Sequence, residues 1–328
     1  MPRKWMAAAA LVAAGAIAAA ATAGPAHADV PTSYNFTTLD SSNDLSFNQL
    51  LGLNDQGVIA GYFGSGLAGH PNKGYYVLAP RYSQLDYRTD NFPASAQTQV
   101  TGLTNGSAQV GFYAPTNTGT DANYGWYSLD NGRSFSPVSV ALPAGAGPAS
   151  PPVTQLLGVN DHDVAVGFEA DSAGNAHGFT YSLRTGQAAF TAVAGAASVT
   201  DAAVNDQGQV AGFFTAPATT TPAPQTTEGF VTTRHGTIVL AVPGAASTMA
   251  LGLNNWGEVV GTYTVAADGA TAMHGFTWTK GAGFVTGIDD PAGVGTTTVN
   301  GVNDRGDLVG FYVDGQGNTD GMLAVPSK

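Results

Sequence analysis

The chain lacks cysteine altogether and has few charged residues. None of its 328 residues is cysteine, and Asp, Glu, Lys and Arg together make up 10%, against about 25% in ordinary domains. The fold therefore has no disulfide and no thiolate ligand for a metal. The 23 acidic residues outnumber the 11 Lys and Arg, which gives a formal net charge of −12. Because phosphates and anionic lipids bind basic surfaces, this balance argues against nucleic acid and membrane surfaces as partners.

Familiar catalytic motifs are also missing from the sequence. It contains neither a Gly-x-Ser-x-Gly nucleophile elbow nor a Walker phosphate loop. Carboxylates, His, Tyr and Arg scattered over a fold can nevertheless serve a glycosidase or a polysaccharide lyase. The sequence thus favours a non-enzymatic protein without excluding an enzyme.

Only the N-terminus carries a long hydrophobic run. Arg3 and Lys4 precede an alanine-rich stretch, and Ala26-His27-Ala28 fits the small-x-small cleavage pattern of a secretory signal. A membrane anchor is the alternative, which the weak hydrophobicity of alanine disfavours. We expect cleavage after Ala28, secretion, and a mature chain 29–328 that does not insert into a membrane. Loss of Arg3 and Lys4 changes the formal charge from −12 to −14.

A ten-residue pattern, commonly Gly-[Leu/Val]-Asn-Asp-x-Gly-x-Val-x-Gly, occurs six times. Successive copies start 50, 56, 45, 49 and 49 residues apart. β-type repeats of about 50 residues indicate propeller blades, because one such unit makes a four-stranded sheet that must pack on its neighbours. The six copies are residues 52–61, 102–111, 158–167, 203–212, 252–261 and 301–310.

Each repeat is predicted to form four strands joined by turns. The Asn-Asp-x-Gly segment predicts a tight turn, because Asn and Asp bond their own backbone and glycine accepts positive φ. Ser107 and Asp163 replace that glycine in copies two and three, so these turns are predicted to be strained or of another type. The third strand opens with Gly and an aromatic residue in five copies, and with Gly and Met322 in the last.

The two ends of the mature chain are predicted to complete one sheet. The sixth repeat stops after its third strand, whereas residues 36–40 match the fourth strand at residues 284–289. An N-terminal strand in the sixth sheet would close a ring and remove open sheet edges. We therefore predict an all-β, closed six-bladed β-propeller that forms a single domain over residues 29–328. A linear β-solenoid is the alternative, but its coils are shorter than these repeats and need no strand from the far end.

The repeat core, together with His177-Gly-Phe179, His274-Gly-Phe276 and Asp289-Asp-Pro-Ala-Gly293, resembles the HAF family of bacterial extracellular repeat proteins. The resemblance covers essentially the whole mature chain. It implies secretion or surface display and supplies no catalytic residue. The chain departs from the family pattern at Thr104, Ser107, Glu228 and Asp320.

Residues 81–90 are the clearest break in the repeats. Because repeated positions mostly maintain the sheets, function is expected where the pattern changes. This segment holds two Arg, two Tyr and two Asp in a chain with few charges, which suits a sugar-binding rim. A solvated outer strand with weak ion pairs is the alternative. The candidate ligand-binding residues here are Arg81, Tyr82, Asp86, Tyr87, Arg88 and Asp90.

His162 is a further candidate, since it lies between Asp161 and Asp163 at the turn of copy three. Carboxylates around an imidazole could bind a metal or form an acid/base pair. Adjacent residues in a turn point in different directions, however, so an ordinary surface turn is the competing interpretation.

We expect no cofactor, with Ca²⁺ as the one metal to consider. The segment 314–320 has oxygens at alternate positions, as a Ca²⁺ loop does, but lacks the glutamate that closes an EF-hand. His177 and His274 recur at one repeat position and are expected to bond a neighbouring turn. The Asn at the third repeat position could surround one mouth of a central channel or simply stabilise its turn.

Together these features predict a secreted, monomeric propeller that binds an extracellular glycan or protein through loops on one face. One alternative is a carbohydrate-active hydrolase or lyase with its site at the channel mouth, using residues such as Asp86, Tyr87, Arg88 or His162. A purely structural surface protein is the other alternative.

Overall fold

The computed structural model describes residues 31, 33–118, 121–215, 226–267 and 270–327. The predicted signal segment 1–28 lies outside these residues. The described part of the chain is all-β, with 24 strands and one short 3₁₀ helix, Gln84–Asp86. Among these residues we find no helical segment with the length and hydrophobicity that a membrane span requires.

The strands fall into six units that follow the six repeats. Unit 1 consists of β2 (Asn48–Leu53), β3 (Ile59–Phe63), β4 (Lys73–Val77) and β5 (Tyr87–Thr89). Unit 2 consists of β6 (Gln97–Leu103), β7 (Gln109–Ala114), β8 (Tyr124–Ser128) and β9 (Ser136–Val138). Unit 3 consists of β10 (Thr154–Val159), β11 (Val164–Ala170), β12 (Ala176–Ser182) and β13 (Ala188–Phe190).

The last three units have the same composition. Unit 4 consists of β14 (Ser198–Val204), β15 (Val210–Thr215), β16 (Thr227–Thr233) and β17 (Gly236–Leu240). Unit 5 consists of β18 (Ser247–Leu253), β19 (Val259–Ala267), β20 (Ala270–Thr279) and β21 (Gly283–Thr286). Unit 6 consists of β22 (Thr297–Val302), β23 (Leu308–Val313), β24 (Thr319–Pro326) and the N-terminal β1 (Tyr34–Thr38).

Antiparallel four-stranded sheets form units 1, 2, 3 and 6, whereas the strands of units 4 and 5 belong to one eight-stranded sheet. A single parallel pair, Thr227 with Ser247, joins β16 to β18. Comparable one-residue bridges connect three other pairs of units. The eight-stranded sheet is therefore two four-stranded antiparallel sheets with one such bridge between them. The three other bridges are Phe47–Thr319, Asn123–Val153 and Met273–Thr296.

The first two strands of every unit pair with a β-bulge between them. This bulge explains the glycine that ends the repeat. In unit 1 the register shifts between Leu50 and Gly52, and equivalent shifts occur in the other five units. The backbones approach closely beside the bulge. A Cβ on Gly61 would lie 2.3 Å from the carbonyl oxygen of Gln49, so only glycine fits there.

The repeat turns behave largely as predicted. Gly57, Gly208, Gly257 and Gly306 have φ between 73° and 79°. In copy three Asp163 takes the same left-handed region, with φ of 57°, which is unfavourable for a residue with a Cβ. None of residues 104–108 in copy two has a positive φ, so that turn is of another type.

The N-terminal strand pairs with the last strand, as predicted. β1 lies antiparallel to β24, with Phe36 opposite Ala324. Leu39 continues the pairing, because its N–H donates to the carbonyl of Gly321 at 2.8 Å. Apolar side chains then fill the spaces between units. One cluster includes Val260 of unit 5 and Met322 of unit 6, and another joins Leu323 of unit 6 to Leu50 and Val77 of unit 1.

Candidate functional site

Six residues, one from each repeat turn, form a continuous set of hydrogen bonds that we call the turn ring. In each case the backbone N–H donates to the side-chain Oδ1 of the next unit's residue, at 2.7–2.9 Å. The bond from Asp304 to Asp55 links unit 6 to unit 1. Every unit is thus bonded to the next through its turn. The members are Asp55, Asn105, Asp161, Asp206, Asn255 and Asp304.

The residues just before the turn ring form a second set, the asparagine belt. Five Nδ2 groups donate to the backbone carbonyl of the belt residue in the next unit, at 2.9–3.2 Å. Thr104 makes no such bond, and its hydroxyl donates instead to Ala108 at 3.3 Å. All six side chains are buried, so the belt joins units rather than presenting amides to a ligand. The members are Asn54, Thr104, Asn160, Asn205, Asn254 and Asn303.

The space enclosed by these residues is narrow. Two small cavities, of about 80 and 70 Å³, are each lined by residues from all six units. Small-molecule sites usually measure roughly 300–1,000 Å³. These two cavities are therefore too small to hold a ligand of ordinary size.

A groove of about 650 Å³ lies beside the turn ring, among units 4, 5 and 6. We call it the Trp256 groove. It shares Asn254 and Asp304 with the cavity at the turn ring, so the two adjoin each other. Its volume falls within the range of ligand sites. Its lining includes the side chains of Trp256, Glu258, Trp278, Lys280 and Arg305.

Two tryptophans supply most of the aromatic surface of the groove. Trp256 occupies the fifth repeat position and is 48% exposed. Its Nε1 donates to the carbonyl of Asp304 at 3.0 Å, which anchors the indole across the boundary between units 5 and 6. Trp278, near the end of β20, packs against Phe284 with ring centroids 6.5 Å apart. Anchored indoles lose little conformational entropy when a ligand packs on them.

Glu258 places a buried carboxyl group in the same groove. The residue is only 7% exposed. Its Oε2 accepts from the Nδ2 of Asn254 at 3.1 Å, but Oε1 is buried without a hydrogen-bond partner among the described residues. Burial raises the pKa of this carboxyl, while the Asn254 hydrogen bond acts in the opposite direction. A buried acceptor that lacks a partner costs about 1–3 kcal/mol, more when charged, so Glu258 is an energetic liability unless a ligand uses it.

The cations of the groove are not equivalent. Arg305 is engaged within the protein, because its Nε and Nη2 donate to Asp307 at 2.9 and 2.6 Å and its Nη1 to the carbonyl of Asp55. Lys280 lies exposed in the hairpin between β20 and β21. Neither cation forms an ion pair with Glu258 in the described structure.

A smaller cavity of about 280 Å³ lies at the other ends of the strands, among units 1, 2 and 3. Its lining is rich in amides, including Asn72 and Gln99, and contains Tyr113, which stacks on Phe92 with centroids 3.7 Å apart. The amides partly satisfy one another, since Gln99 Nε2 donates to Asn72 Oδ1 at 3.2 Å. The Trp256 groove is the stronger candidate because it is larger and contains an unpartnered polar group.

The predicted segment 81–90 does not present its side chains to one surface. Tyr87 packs inward on Tyr75, with ring centroids 5.0 Å apart. Asp90 is 3% exposed, and burial raises its pKa to about 6. Arg88 points outward and donates to the carbonyls of Leu85 and Tyr87. Alternate residues of this strand thus serve opposite sides of the sheet.

The rest of that segment is occupied by local contacts. Asp86 accepts from the hydroxyl and the backbone N–H of Ser83, and these bonds lower its pKa. Arg81 pairs with Asp86 at 3.4 Å. Tyr82 donates its hydroxyl hydrogen to the carbonyl of Gly57 at 2.9 Å and so covers the turn of unit 1. Ligand binding by this segment stays a prediction.

His162 is exposed at the turn of unit 3, next to two carboxylates with separate partners. Asp161 belongs to the turn ring, where it accepts from Asn105 at 2.7 Å. Asp163 forms an ion pair with Arg184. The described residues include no group of three or more His, Asp or Glu placed to hold a metal.

The other predicted polar positions also have local partners. His177 contacts Asp171 at 3.0 Å and His274 contacts Asp289 at 2.7 Å. In the proposed Ca²⁺ loop, Asp314 Oδ1 accepts from the backbone of Gln316 and Asn318. These oxygens are therefore engaged inside their own turns.

Trp256 and Glu258 were not predicted from the sequence, although a signal was present. The fifth repeat position is Gln, Gly, His, Gln, Trp and Arg in the six copies, so Trp256 is the one aromatic residue there. The seventh position is apolar in copies one to three and polar in copies four to six. A position-by-position comparison of the copies would have found both changes.

No protein-family model and no curated protein matches the chain. Solved structures are similar at low identity. An ulvan lyase of polysaccharide lyase family PL25 has a TM-score of 0.46 and 12% identity, over 82% of this chain and 76% of the lyase. TolB from Acinetobacter baumannii has a TM-score of 0.47 and 14% identity, over 83% of this chain and 64% of TolB. The β-propeller domain of the Trilobed protease from Pyrococcus furiosus has a TM-score of 0.46 and 7% identity, over 86% and 96% of the two chains. At 7–14% identity, none of these similarities assigns the chain an activity or a ligand.

Proposed function

We propose that the protein is a secreted, closed six-bladed β-propeller that binds a carbohydrate in the Trp256 groove. Three features support the closed ring: six similar units, β1 in the sheet of unit 6, and turn-ring hydrogen bonds that lead from each unit to the next and from unit 6 to unit 1. The signal-like segment 1–28 and the resemblance to HAF-repeat proteins support export.

The observation that carries the proposed binding function is the pairing of indole surface with polar groups in one concave groove. Trp256 and Trp278 offer flat apolar surfaces, and Glu258, Gln209 and Lys280 offer polar groups beside them. A sugar ring presents an apolar face together with hydroxyls, and amphipathic aromatic residues suit such mixed surfaces.

The shape of the site favours a glycan over a protein partner. A standard protein interface buries about 800 Å² on each partner and is centred on a broad surface. The Trp256 groove is instead concave and bounded by the hairpins of units 4 and 5. An extended or small ligand fits this geometry.

Retention on a panel of immobilised polysaccharides tests the proposed function with purified residues 29–328. We expect at least one polymer to retain the protein, and Trp256→Ala to weaken its affinity by about tenfold or more, because exposed, anchored aromatic residues dominate binding energies. Phe190→Ala is the matched control, since Phe190 is 37% exposed in unit 3, outside the groove. If no polymer is retained, or if both variants bind as the parent does, the proposal is wrong.

A glycoside hydrolase is the second candidate function, because Glu258 has a raised pKa in an aromatic groove. A carboxyl group of that kind can act as a general acid towards a glycosidic oxygen. Mass spectrometry of the same polysaccharide incubations distinguishes the two functions. Retention without fragments supports binding alone, whereas fragments that disappear with Glu258→Gln support hydrolysis.

A further inference from the structure

We propose that the Trp256 groove selects glycans that carry a free amino group, and that the protonated amine of such a sugar pairs with Glu258. This inference rests on the proposed carbohydrate binding and narrows it to one chemical class. It is carried by the Glu258 carboxyl oxygen that has no hydrogen-bond partner among the described residues and by the indole surfaces next to it.

Only one of the two carboxyl oxygens of Glu258 has a hydrogen-bond partner among the described residues. Its Oε2 and its backbone N–H are both bonded to Asn254, at 3.1 and 3.0 Å, which fixes the side chain in one position. Its Oε1 keeps no hydrogen bond to any described residue. A buried carboxylate is stable only when a cation or several donors compensate it. Among the described residues, no cation and no bonded donor compensates this oxygen.

The equivalent residues of units 4 and 6 show how the same position is satisfied elsewhere. Gln209 is neutral, and its amide donates to Thr232 at 3.5 Å. Asp307 has a carboxyl group, and Arg305 donates to it through two nitrogens. Glu258 also carries a carboxyl group but has no arginine of its own, since the fifth repeat position of unit 5 is Trp256.

At the fifth repeat position, unit 5 thus has an aromatic surface where unit 6 has the cation Arg305. Tryptophan attracts cations most strongly among the aromatic residues, because its ring face carries negative potential. Trp256 is held by its bond to Asp304, so its indole is already in place. A ligand that brings an ammonium group on an apolar framework would satisfy Glu258 and contact the indole at once.

The charge of the surroundings agrees with a cationic ligand. The mature chain has a formal charge of −14, and such a field steers cations towards the protein. Asp307 and the carbonyl of Asp55 occupy the Arg305 guanidinium. Lys280 lies at the exposed rim, where solvent screens its charge. A neutral sugar would leave Glu258 Oε1 without a cation, and an anionic sugar would oppose it.

The test compares two oligosaccharides of equal length, one built of glucosamine and the other of N-acetylglucosamine. Both present the same kind of ring face, but only the first carries ammonium groups. Isothermal titration calorimetry with residues 29–328 at pH 6 should show that the glucosamine oligomer binds about tenfold or more tightly than the N-acetylglucosamine oligomer. A charge-assisted hydrogen bond gives a difference of that size.

Glu258→Gln should remove this preference while the N-acetylated oligomer binds as before. Glu228→Gln is the matched control, because Glu228 lies at the start of β16 and outside the groove. Equal binding of both oligomers by the parent protein, with loss of both in Trp256→Ala, would overturn the inference and leave the carbohydrate site intact. If neither oligomer binds but another polymer is retained in a Trp256-dependent way, the preference for amino sugars is likewise wrong and the carbohydrate site still stands.

An oligolysine peptide separates an amino sugar from a peptide ammonium group. We expect it to bind far more weakly than the glucosamine oligomer, because its flexible chain offers no sugar ring to the indoles. If oligolysine binds equally well and Glu258→Gln removes that binding, the ligand is a cationic peptide and the sugar assignment is wrong. If no polymer is retained at all, the proposed function itself fails.

Discussion

Units 1 to 3 and units 4 to 6 share one framework but differ at the turns beside it. The turn ring runs through all six units with hydrogen bonds of 2.7–2.9 Å. At the seventh repeat position, however, the first half has apolar residues and the second half polar ones. The turn ring therefore forms with either apolar or polar side chains at the seventh position. These side chains determine the polarity of the surface beside the ring. The residues are Val58, Ala108 and Val164 in the first half, and Gln209, Glu258 and Asp307 in the second.

The connections between the third and fourth strands explain why the groove forms in one half. They contain nine, seven and five residues in units 1, 2 and 3, but two and three residues in units 4 and 5. The longer connections fold back over their own turns, as when Tyr82 bonds Gly57 and Arg184 pairs with Asp163. The short hairpins of units 4 and 5 leave the turns uncovered. The proposed ligand site thus lies where these connections are shortest, although binding residues are often carried by loops.

The largest effect is expected at the boundary where the two halves meet through the chain ends. Deleting residues 29–42 removes β1 and leaves β24, with buried Met322 and Ala324, as an open edge. Because net stability is only about 5–15 kcal/mol, loss of a strand and its core contacts should sharply lower the melting temperature or prevent folding. Thermal denaturation followed by circular dichroism measures this change.

A shorter deletion provides the control for that experiment. Removing residues 29–32 leaves β1 in place and should leave the melting temperature within a few degrees of the parent. If the longer deletion melts like the parent, the two halves do not depend on the N-terminal strand and the closed ring is wrong.

The framework was predictable from the sequence because it is built of local signals repeated six times. The Asn-Asp-x-Gly turns needed only the propensities of four adjacent residues, and the pairing of β1 with β24 followed from a strand missing in the last repeat. The groove depends instead on three units coming together around Trp256. For residues 81–90 the prediction considered the charges of the segment together, whereas the structure places Tyr87 and Arg88 on opposite sides of one strand. Composition alone cannot separate the two sides.

The boundary between units 3 and 4, where the halves meet a second time, should respond to pH. Asp201 of unit 4 is fully buried, accepts from Thr191 of unit 3, and has an unpartnered Oδ1. Burial raises its pKa from 3.8 to about 7. The folded state then binds a proton more tightly than the unfolded state, so stability from this group is full below about pH 4 and is lost as pH rises through about 7.

Asp201→Asn should therefore stabilise the protein at pH 8 by roughly 2–4 kcal/mol and change little at pH 4. Urea denaturation at the two pH values measures the difference. Asp206→Asn is a suitable comparison, because Asp206 lies in the turn ring of the same unit and is bonded to Asn255. Equal gains at both pH values would show that Asp201 does not titrate as its burial requires.

The smallest expected effect concerns the one missing bond of the asparagine belt, which lies in the first half. Thr104→Asn would place an amide where the other five units have one, and its Nδ2 could donate to the carbonyl of Asn160 in unit 3. Its Oδ1 could replace the Thr104 hydroxyl that now accepts from the N–H of Ala108 at 3.1 Å. We expect a gain of about 0.5–1.5 kcal/mol in the free energy of unfolding, the net value of one added hydrogen bond, measured by urea denaturation.

Thr101→Asn serves as the contrary control. Thr101 is buried and its hydroxyl donates to the carbonyl of Leu156 at 2.8 Å, so a larger side chain there should destabilise the protein. A loss of stability in Thr104→Asn would mean that the different turn of copy two cannot accept the belt geometry, and that the first half departs from the framework as well as from the groove.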